Sequence, residues 1–380
     1  MNIMTDTQSR AGWQSHDGHE GSAAQPILNA LVSLAPGLSA QDWRVRHSNN
    51  EVPDATPYGL HKLENHGVVP VFADRSFSRA TRFLSKVATR TTQGVRMVEA
   101  LADVRYRSAI PFDVALCYDE WNGIPARVLQ SRHTPVIMGV HFLAEKALTP
   151  NVFRAAAQLT LPHAAAIFTH TRTMAGILTS EWAVPPDRVT TVPFGIDAEF
   201  YAVQPQPEVP GIVVSAGEDV LRDHDLLINA VAKLNEKDPR VRLELATGMR
   251  VDMPPSLGQV FHERLYGKMR DLYQRASVVA VAVHPSAARA SGSTVVLEGM
   301  ASGRPVVATA NPALAEFMVD GVTGILVPPG DVDAMTKAIG DLLADPARAA
   351  EMGRAGAQYV RERFTSDVMA RELADLARSV

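Results

Sequence analysis

Glu298 is the lone acid in an otherwise apolar run, Val295–Met300, and the residues before it, Ala290-Ser291-Gly292-Ser293-Thr294, are all small. Read physically, the run is a helix and the small residues are the loop at its amino end. Small side chains let a backbone approach a ligand closely, and the free N–H groups of a helix start attract phosphate. A carboxylate one turn into such a helix can accept both hydrogen bonds of a ribose diol. The bland alternative is an ordinary helix-surface glutamate.

Other groups fit the same chemistry. Arg222 sits among Glu218, Asp219, Asp223 and Asp225 in GEDVLRDHDLL. It is suited either to a bidentate phosphate contact or to an ion pair with one of those acids. His141 follows the apolar run PVIMGV (135–140), and Asp119-Glu120 follow VALCY (114–118). Both places are carboxyl ends of strands, where open parallel sheets bind ligands. The two acids could accept a proton from an attacking hydroxyl, or form a charge pair at a helix start before Gly123-Ile124-Pro125. His141 could position a hydroxyl or be a satisfied core group. His16 and His19 have a spacing that could suit a metal, but no second ligand pair follows, so no metal site is predicted.

The elements that must place these residues alternate. Strands are predicted at Val68–Ala73, Val114–Tyr118, Val136–Val140, Ala166–Thr169 and Thr190–Pro193, with helices between them, notably Thr173–Glu181. A proline-rich stretch, YAVQPQPEVPG (201–211), reads as a linker. Beyond it come strands at Ile212–Ala216, Val241–Ala246, Val278–Val283, Val306–Ala308 and Ile325–Val327. Helices are predicted at Leu226–Leu234, around Glu263–Arg275, at Ala313–Val319 and at Ala334–Leu343, with Asp331 and Asp345-Pro346 as helix starts. The pattern is α/β: parallel strands with crossover helices. Residues 1–24 read as a flexible tail, 25–200 as one Rossmann-like domain and 212–364 as a second. A final helix runs over 365–380.

Composition narrows the classes. The chain has 380 residues, 46% of them hydrophobic, enough for two sizeable cores, and a net charge of −4 that speaks against general nucleic-acid binding. A single cysteine, Cys117, forbids an internal disulfide and suits a reducing compartment. The longest apolar run, Val278–Val283, is far short of a membrane span, and the first residues lack the pattern of a signal peptide. The expectation is a soluble, cytoplasmic protein.

The segment VVLEGMASGRPVVATANPALAEFMVDGVTGILVPPG (295–330) resembles the nucleotide-sugar half of the retaining glycosyltransferases of family 4. So does the junction TVPFGIDAEFY (191–201). The resemblance implies the GT-B fold, two facing Rossmann-like domains with parallel sheets and a cleft between them, and a terminal helix returning toward the first domain. It implies transfer of a sugar, with retention, from a nucleoside-diphosphate sugar to an acceptor hydroxyl or amine on a glycan, lipid or natural product. No cofactor or obligatory metal is implied. Glu298 takes the role of the family's ribose-binding glutamate, and His141 that of a histidine facing donor and acceptor. Gly217, Arg222, the loop 290–294 and Thr247-Gly248 line the donor site, the last as floor of the base pocket.

The sequence departs from the family pattern in three places. The sugar-binding glutamate is replaced by Ala290, in a Ser-Gly-Ser-Thr loop like that of one branch of the family. Glu218 stands where an arginine is expected beside the diphosphate. No opening strand is seen, and GHEGSAA (18–24) is at best a vestige of the glycine loop. A catalytically silent homologue that binds a partner is the rival reading, and a sugar-nucleotide epimerase of the same fold a third. Independently of any family, Arg75, Arg79, Arg82, Lys86 and Arg90 fall within an arc of about 80° on one helix face. Phe77, Ala80, Phe83, Leu84, Val87 and Ala88 lie opposite. The stripe suits an anionic membrane surface or a phosphorylated acceptor, or is a solvated face whose apolar side enters a core.

Overall fold

The computed structural model describes residues 27–34, 38–73, 79–91, 96, 98, 101, 111–129, 134–202 and 207–380. Two six-stranded sheets organise them, and every strand pair is parallel.

The first sheet has the order β2-β1-β3-β4-β5-β6, formed by Leu28–Ser33 (β1), Val68–Phe72 (β2), Val114–Cys117 (β3), Val136–Gly139 (β4), Ala166–Thr169 (β5) and Val189–Thr191 (β6). Its strands are apolar on both faces because both are covered. Ile137 and Phe168 face one core with Leu60 and Leu63, while Met138 and Ile167 face another with Phe153 and Trp182. The helices are Ala40–Ser48 (α1), Arg79–Thr91 (α2), Glu120–Leu129 (α3), Asn151–Thr160 (α4), Arg172–Glu181 (α5) and Ala198–Ala202 (α6).

The second sheet has the order β12-β11-β10-β7-β8-β9, with strands Ile212–Ala216 (β7), Arg242–Ala246 (β8), Gly258–Phe261 (β9), Val278–Val281 (β10), Val306–Thr309 (β11) and Ile325–Val327 (β12). Val279 and Val281 enter one core, Val278 and Ala280 the other, the period of two expected of a strand buried on both faces. Its helices are His224–Asn235 (α7), Lys268–Arg275 (α8), Ser293–Ala301 (α9), Val332–Ala344 (α10) and Pro346–Arg363 (α11). Asp223, Asp331 and Asp345 cap helix starts by accepting from Leu226, Ala334 and Arg348 N–H. The last helix, Ser366–Arg378 (α12), packs Met369, Ala370, Leu373 and Ala374 into a first-domain core.

The topology fixes where a ligand sits. Each sheet has one point where strand order reverses, between β1 and β3 in the first and between β7 and β10 in the second. Loops leaving such a point diverge and open a crevice at the strands' carboxyl ends. The residues after β3, β7 and β10 are Tyr118-Asp119, Gly217–Arg222 and Ala282–Gly292.

Some elements differ from the sequence expectation. An opening strand exists: β1 lies inside the first sheet, bonded to both β2 and β3. Asn29 and Ser33 interrupt its apolar run, which hides it in the sequence. The vestigial GHEGSAA segment lies outside the described residues. β9 was also unforeseen, the helix expected around 263–275 begins at Lys268, and the one at 313–319 is a short 3₁₀ turn, Leu314–Phe317.

Candidate active site

A cavity of about 410 Å³ opens between the two domains. Its second-domain wall is Gly217, Glu218, Asp219, Arg222 and the segment Arg289–Val295; the first domain supplies Tyr58, Asp119, Trp121, His141, Phe142 and His170. Arg222, Gly217, Ala290, Ser291, Gly292, Ser293, Thr294, Asp119 and His141 therefore meet there. Glu298, Glu120 and Gly248 do not line it.

Arg222 is the unusual charge. Its side chain is buried, Nη2 donates to Ser215 Oγ at 3.3 Å, and Nε has no partner among the described residues. Burial lowers its pKa to about 10, which leaves it cationic at neutral pH. Among the described ion pairs none involves Arg222, since Asp219 is held by Arg289. The guanidinium lies between Gly217 and Gly292. Gly292 has φ +95° and begins α9 without any side-chain cap, so first-turn N–H groups of that helix face the same space. A buried cation without a counter-ion is costly. Beside a bare helix start, it forms a ready anion site.

The other cavity charges are acidic or balanced. Glu218 is half exposed and sits beside Gly248, 3.9 Å from Arg264. Arg289 lies between Asp219 and Glu145.

Glu298 faces a second cavity, about 330 Å³, walled by Trp43, Tyr58, Tyr201, Tyr266 and Thr294. Tyr201 donates its hydroxyl to Glu298 Oε1 at 2.5 Å, and Tyr273 donates as well. Loss of hydration raises the Glu298 pKa to about 7 in spite of them. Tyr58, Phe194 and Thr294 line both cavities, so the two meet at these residues. Arg222, beside the start of α9, thus lines one cavity, and Glu298, farther along that helix, lines the other.

In the first domain, Asp119 is buried on the cavity wall, its Oδ1 accepting from Asn122 N and Nδ2. Glu120 is withdrawn from the cavity. Its two carboxylate oxygens accept from His141 N at 3.2 Å and Phe142 N at 2.8 Å, and burial raises its pKa to about 7. It holds the β4 loop rather than facing an acceptor. His141 lines the cavity with its ring stacked on His170 at 4.3 Å. Its Nε2 donates to Tyr118 O at 2.9 Å and its Nδ1 is buried without a partner among the described residues. Burial and the neighbouring His170 push its pKa well below the usual value, so the ring is neutral.

Of the two readings of the α2 stripe, the exposures bear on the one whose apolar side enters a core. Arg75 and Phe77 lie outside the described residues, as do the side chains of Arg79 and Arg82. Among the described residues the apolar side enters no core: Phe83, Leu84 and Val87 are 67%, 61% and 48% exposed. Both faces of the first sheet are already covered by other elements.

Arg289, Glu145, Tyr201 and His170 were not foreseen as site residues. The local signal that Arg289 carries is its place beside Ala290, at the head of the small-residue loop.

Residues 29–195 match the family model described as Glycosyl transferase 4-like domain, and residues 211–345 match Glycosyl transferases group 1. The chain belongs to glycosyltransferase family 4. Among curated relatives, this family-4 chain is 29% identical over 218 residues to a GDP-mannose-dependent alpha-(1-6)-phosphatidylinositol monomannoside mannosyltransferase of Mycolicibacterium smegmatis, covering 50% of this chain and 56% of that protein. It is 27% identical over 282 residues to a D-inositol 3-phosphate glycosyltransferase of Gordonia bronchialis, covering 66% and 60%. The chain thus spans less than two thirds of the length of these relatives. Two solved structures share the GT-B fold. Sucrose-phosphate synthase of Thermosynechococcus elongatus superposes with TM-score 0.65 at 19% identity, over 92% of this chain and 98% of that one. Anabaena HepE, in complex with UDP-glucose, superposes with TM-score 0.67 at 14% identity, over 93% and 100%. No helix among the described residues is long and apolar enough to cross a membrane.

Proposed function

We propose that this chain transfers a glycosyl group from a nucleoside-diphosphate sugar to an acceptor hydroxyl or amine, with retention. The observation that carries this reading is Arg222, a buried guanidinium that forms no ion pair among the described residues, beside the uncapped start of α9. That pairing matches a diphosphate in charge and shape. The nucleoside would occupy the second cavity, its ribose diol donating to Glu298, and the sugar would reach toward His141 and Asp119. As the bond from C1 to the diphosphate oxygen breaks, its electrons leave with the diphosphate, where Arg222 and the α9 N–H groups stabilise the charge. The acceptor oxygen bonds to C1, and Asp119 is placed to take its proton.

Glu218 and Ala290 favour the rival reading, a silent homologue that binds a partner. Calorimetry decides between them. UDP, GDP, ADP and TDP are titrated into the wild-type protein and Arg222→Met, with and without magnesium. UDP and GDP come first because of the UDP-glucose and GDP-mannose named for the neighbour and the relative. Micromolar binding of one nucleotide, lost in Arg222→Met, supports a working donor cleft. No binding at all leaves the silent homologue.

The acceptor is proposed to be borne on a lipid. The exposed Phe83, Leu84 and Val87 share α2 with exposed Lys86 and Arg90, a combination suited to an anionic membrane surface.

A further inference from the structure

The two domains exchange carboxylates across the cleft, in opposite directions. Glu145, in the first-domain loop after β4, reaches the loop between β10 and α9. Its Oε1 accepts from Ala288 N at 2.8 Å and Arg289 N at 3.0 Å, and its Oε2 from Arg289 Nη1 at 2.6 Å. On the other edge of the same guanidinium, Asp219 accepts from Nε at 3.0 Å and Nη2 at 2.7 Å. In return, Glu316 of the second domain accepts from Arg172 N, Thr173 N and Thr173 Oγ1, each at 2.8 Å, at the start of α5. The Glu145, Arg289 and Glu316 side chains are only 8%, 15% and 11% exposed. The crossings flank the cavity that holds Arg222, which Arg289 lines on one side and Thr171 and Met174 on the other.

These contacts differ from surface ion pairs, which contribute little. Each carboxylate takes backbone N–H groups of the opposite domain, and charge-assisted bonds sheltered from water are the stronger kind. Arg289 lies next to Ala290 in the loop that continues through Gly292 into α9. A pull by Glu145 on the 288–289 backbone is therefore felt where the diphosphate is to bind. Asp219 ties the same guanidinium to the loop after β7, so one side chain joins both halves of the donor crevice to the first domain.

We infer that Glu145 and Arg289 are positioning residues for the transfer reaction: they shape the donor loop when the domains close, and so couple donor binding to closure. The inference rests on the donor-cleft reading above. The coupling is reciprocal, because a ligand that prefers the closed form favours closure as much as closure favours it. Glu145→Gln removes the charge while keeping the size. Arg289→Lys keeps the charge but cannot bridge two carboxylates with a fork.

The test combines small-angle scattering with calorimetry on the full chain, using whichever nucleoside diphosphate binds the wild-type protein. Glu145→Gln and Arg289→Lys are expected to enlarge the radius of gyration without nucleotide. Saturating nucleotide is expected to restore the compact form, at an affinity about fivefold or more weaker. A fold defect would lower the melting temperature and would not be reversed by nucleotide. Lys337→Gln, which breaks the exposed Lys337–Asp341 pair, is the control expected to change neither quantity. Variants that scatter and bind like the wild type overturn the inference and leave the donor cleft standing. A wild-type protein that binds no nucleoside diphosphate removes both.

Discussion

The Arg222 guanidinium occupies the space into which a side chain on Gly292 would project. A Cβ at residue 292 would lie 2.5 Å from Arg222 Nη1 and 2.6 Å from Val281 Cγ1, on a backbone with φ +95°. Gly292→Ala must therefore both strain the start of α9 and displace Arg222. The strain costs about 1–3 kcal/mol of stability. The displacement is expected to weaken nucleoside-diphosphate binding by about tenfold or more. Gly321→Ala separates the two effects, because Gly321 also has a left-handed backbone, φ +72°, but open space around it. It should lose stability and keep affinity. Equal affinities in both variants would place Arg222 outside the site.

Glu298 makes the affinity depend on pH. Its pKa is raised to about 7 from an ordinary 4.5, so the carboxylate is ionised at pH 8 and largely protonated at pH 6. An ionised carboxylate accepts from a ribose diol, and the protonated acid gives up part of that capacity. Nucleoside-diphosphate affinity should fall as the pH drops through about 7. Glu298→Gln should bind about tenfold more weakly at pH 8 and show no such step. Titration calorimetry at three pH values reads both. A step that persists in the glutamine variant would assign the titration to another group.

The sheets were legible because their strands are buried on both faces, which writes continuous apolar runs such as Val278–Val283 into the sequence. β1 was not, since Asn29 and Ser33 break its run although its place between β2 and β3 buries it. Helix starts at Asp331 and Asp345 could be read because capping is local. The cavity wall was partly legible: small residues before α9 and acids after β3 stand in short motifs. Glu145 and Glu316 carry no local signal, because their partners lie 144 residues away along the chain. Nor could sequence separate Asp119 from Glu120. Adjacent positions at a strand end point opposite ways, and only the fold shows that Glu120 turns inward to the 141–142 backbone.

That inward turn has a consequence for stability. Burial raises the Glu120 pKa to about 7 from an ordinary 4.5. The folded state thus holds a proton that the unfolded chain releases more readily, and this group's contribution to stability falls as pH rises from about 4.5 to about 7. Glu120→Gln abolishes that slope. Compared with the wild type, the variant should gain melting temperature between pH 5 and pH 8, whatever its offset at pH 5. Glu298 contributes the same slope to both proteins and cancels. A difference in melting temperature that stays constant with pH would mean that Glu120 does not titrate in this range.

The exposed side of α2 sets the last expectation. Phe83 and Leu84 are more than half exposed, and Lys86 and Arg90 stand on the same helix. Each basic residue near an anionic bilayer adds about 1 kcal/mol of attraction, screened within about 10 Å at 0.1 M salt. Buried apolar side chains add a part that salt does not screen. The wild-type protein is expected to sediment with phosphatidylglycerol vesicles and not with phosphatidylcholine vesicles. Lys86→Glu with Arg90→Glu should release it, with the largest difference from the wild type at low salt, where the attraction is least screened. Phe83→Ser with Leu84→Ser should weaken binding at every salt concentration. The two pairs of changes thus predict different salt curves, which a fold defect would not produce. A wild-type protein that ignores anionic vesicles removes the membrane from the reading and leaves an acceptor free in solution.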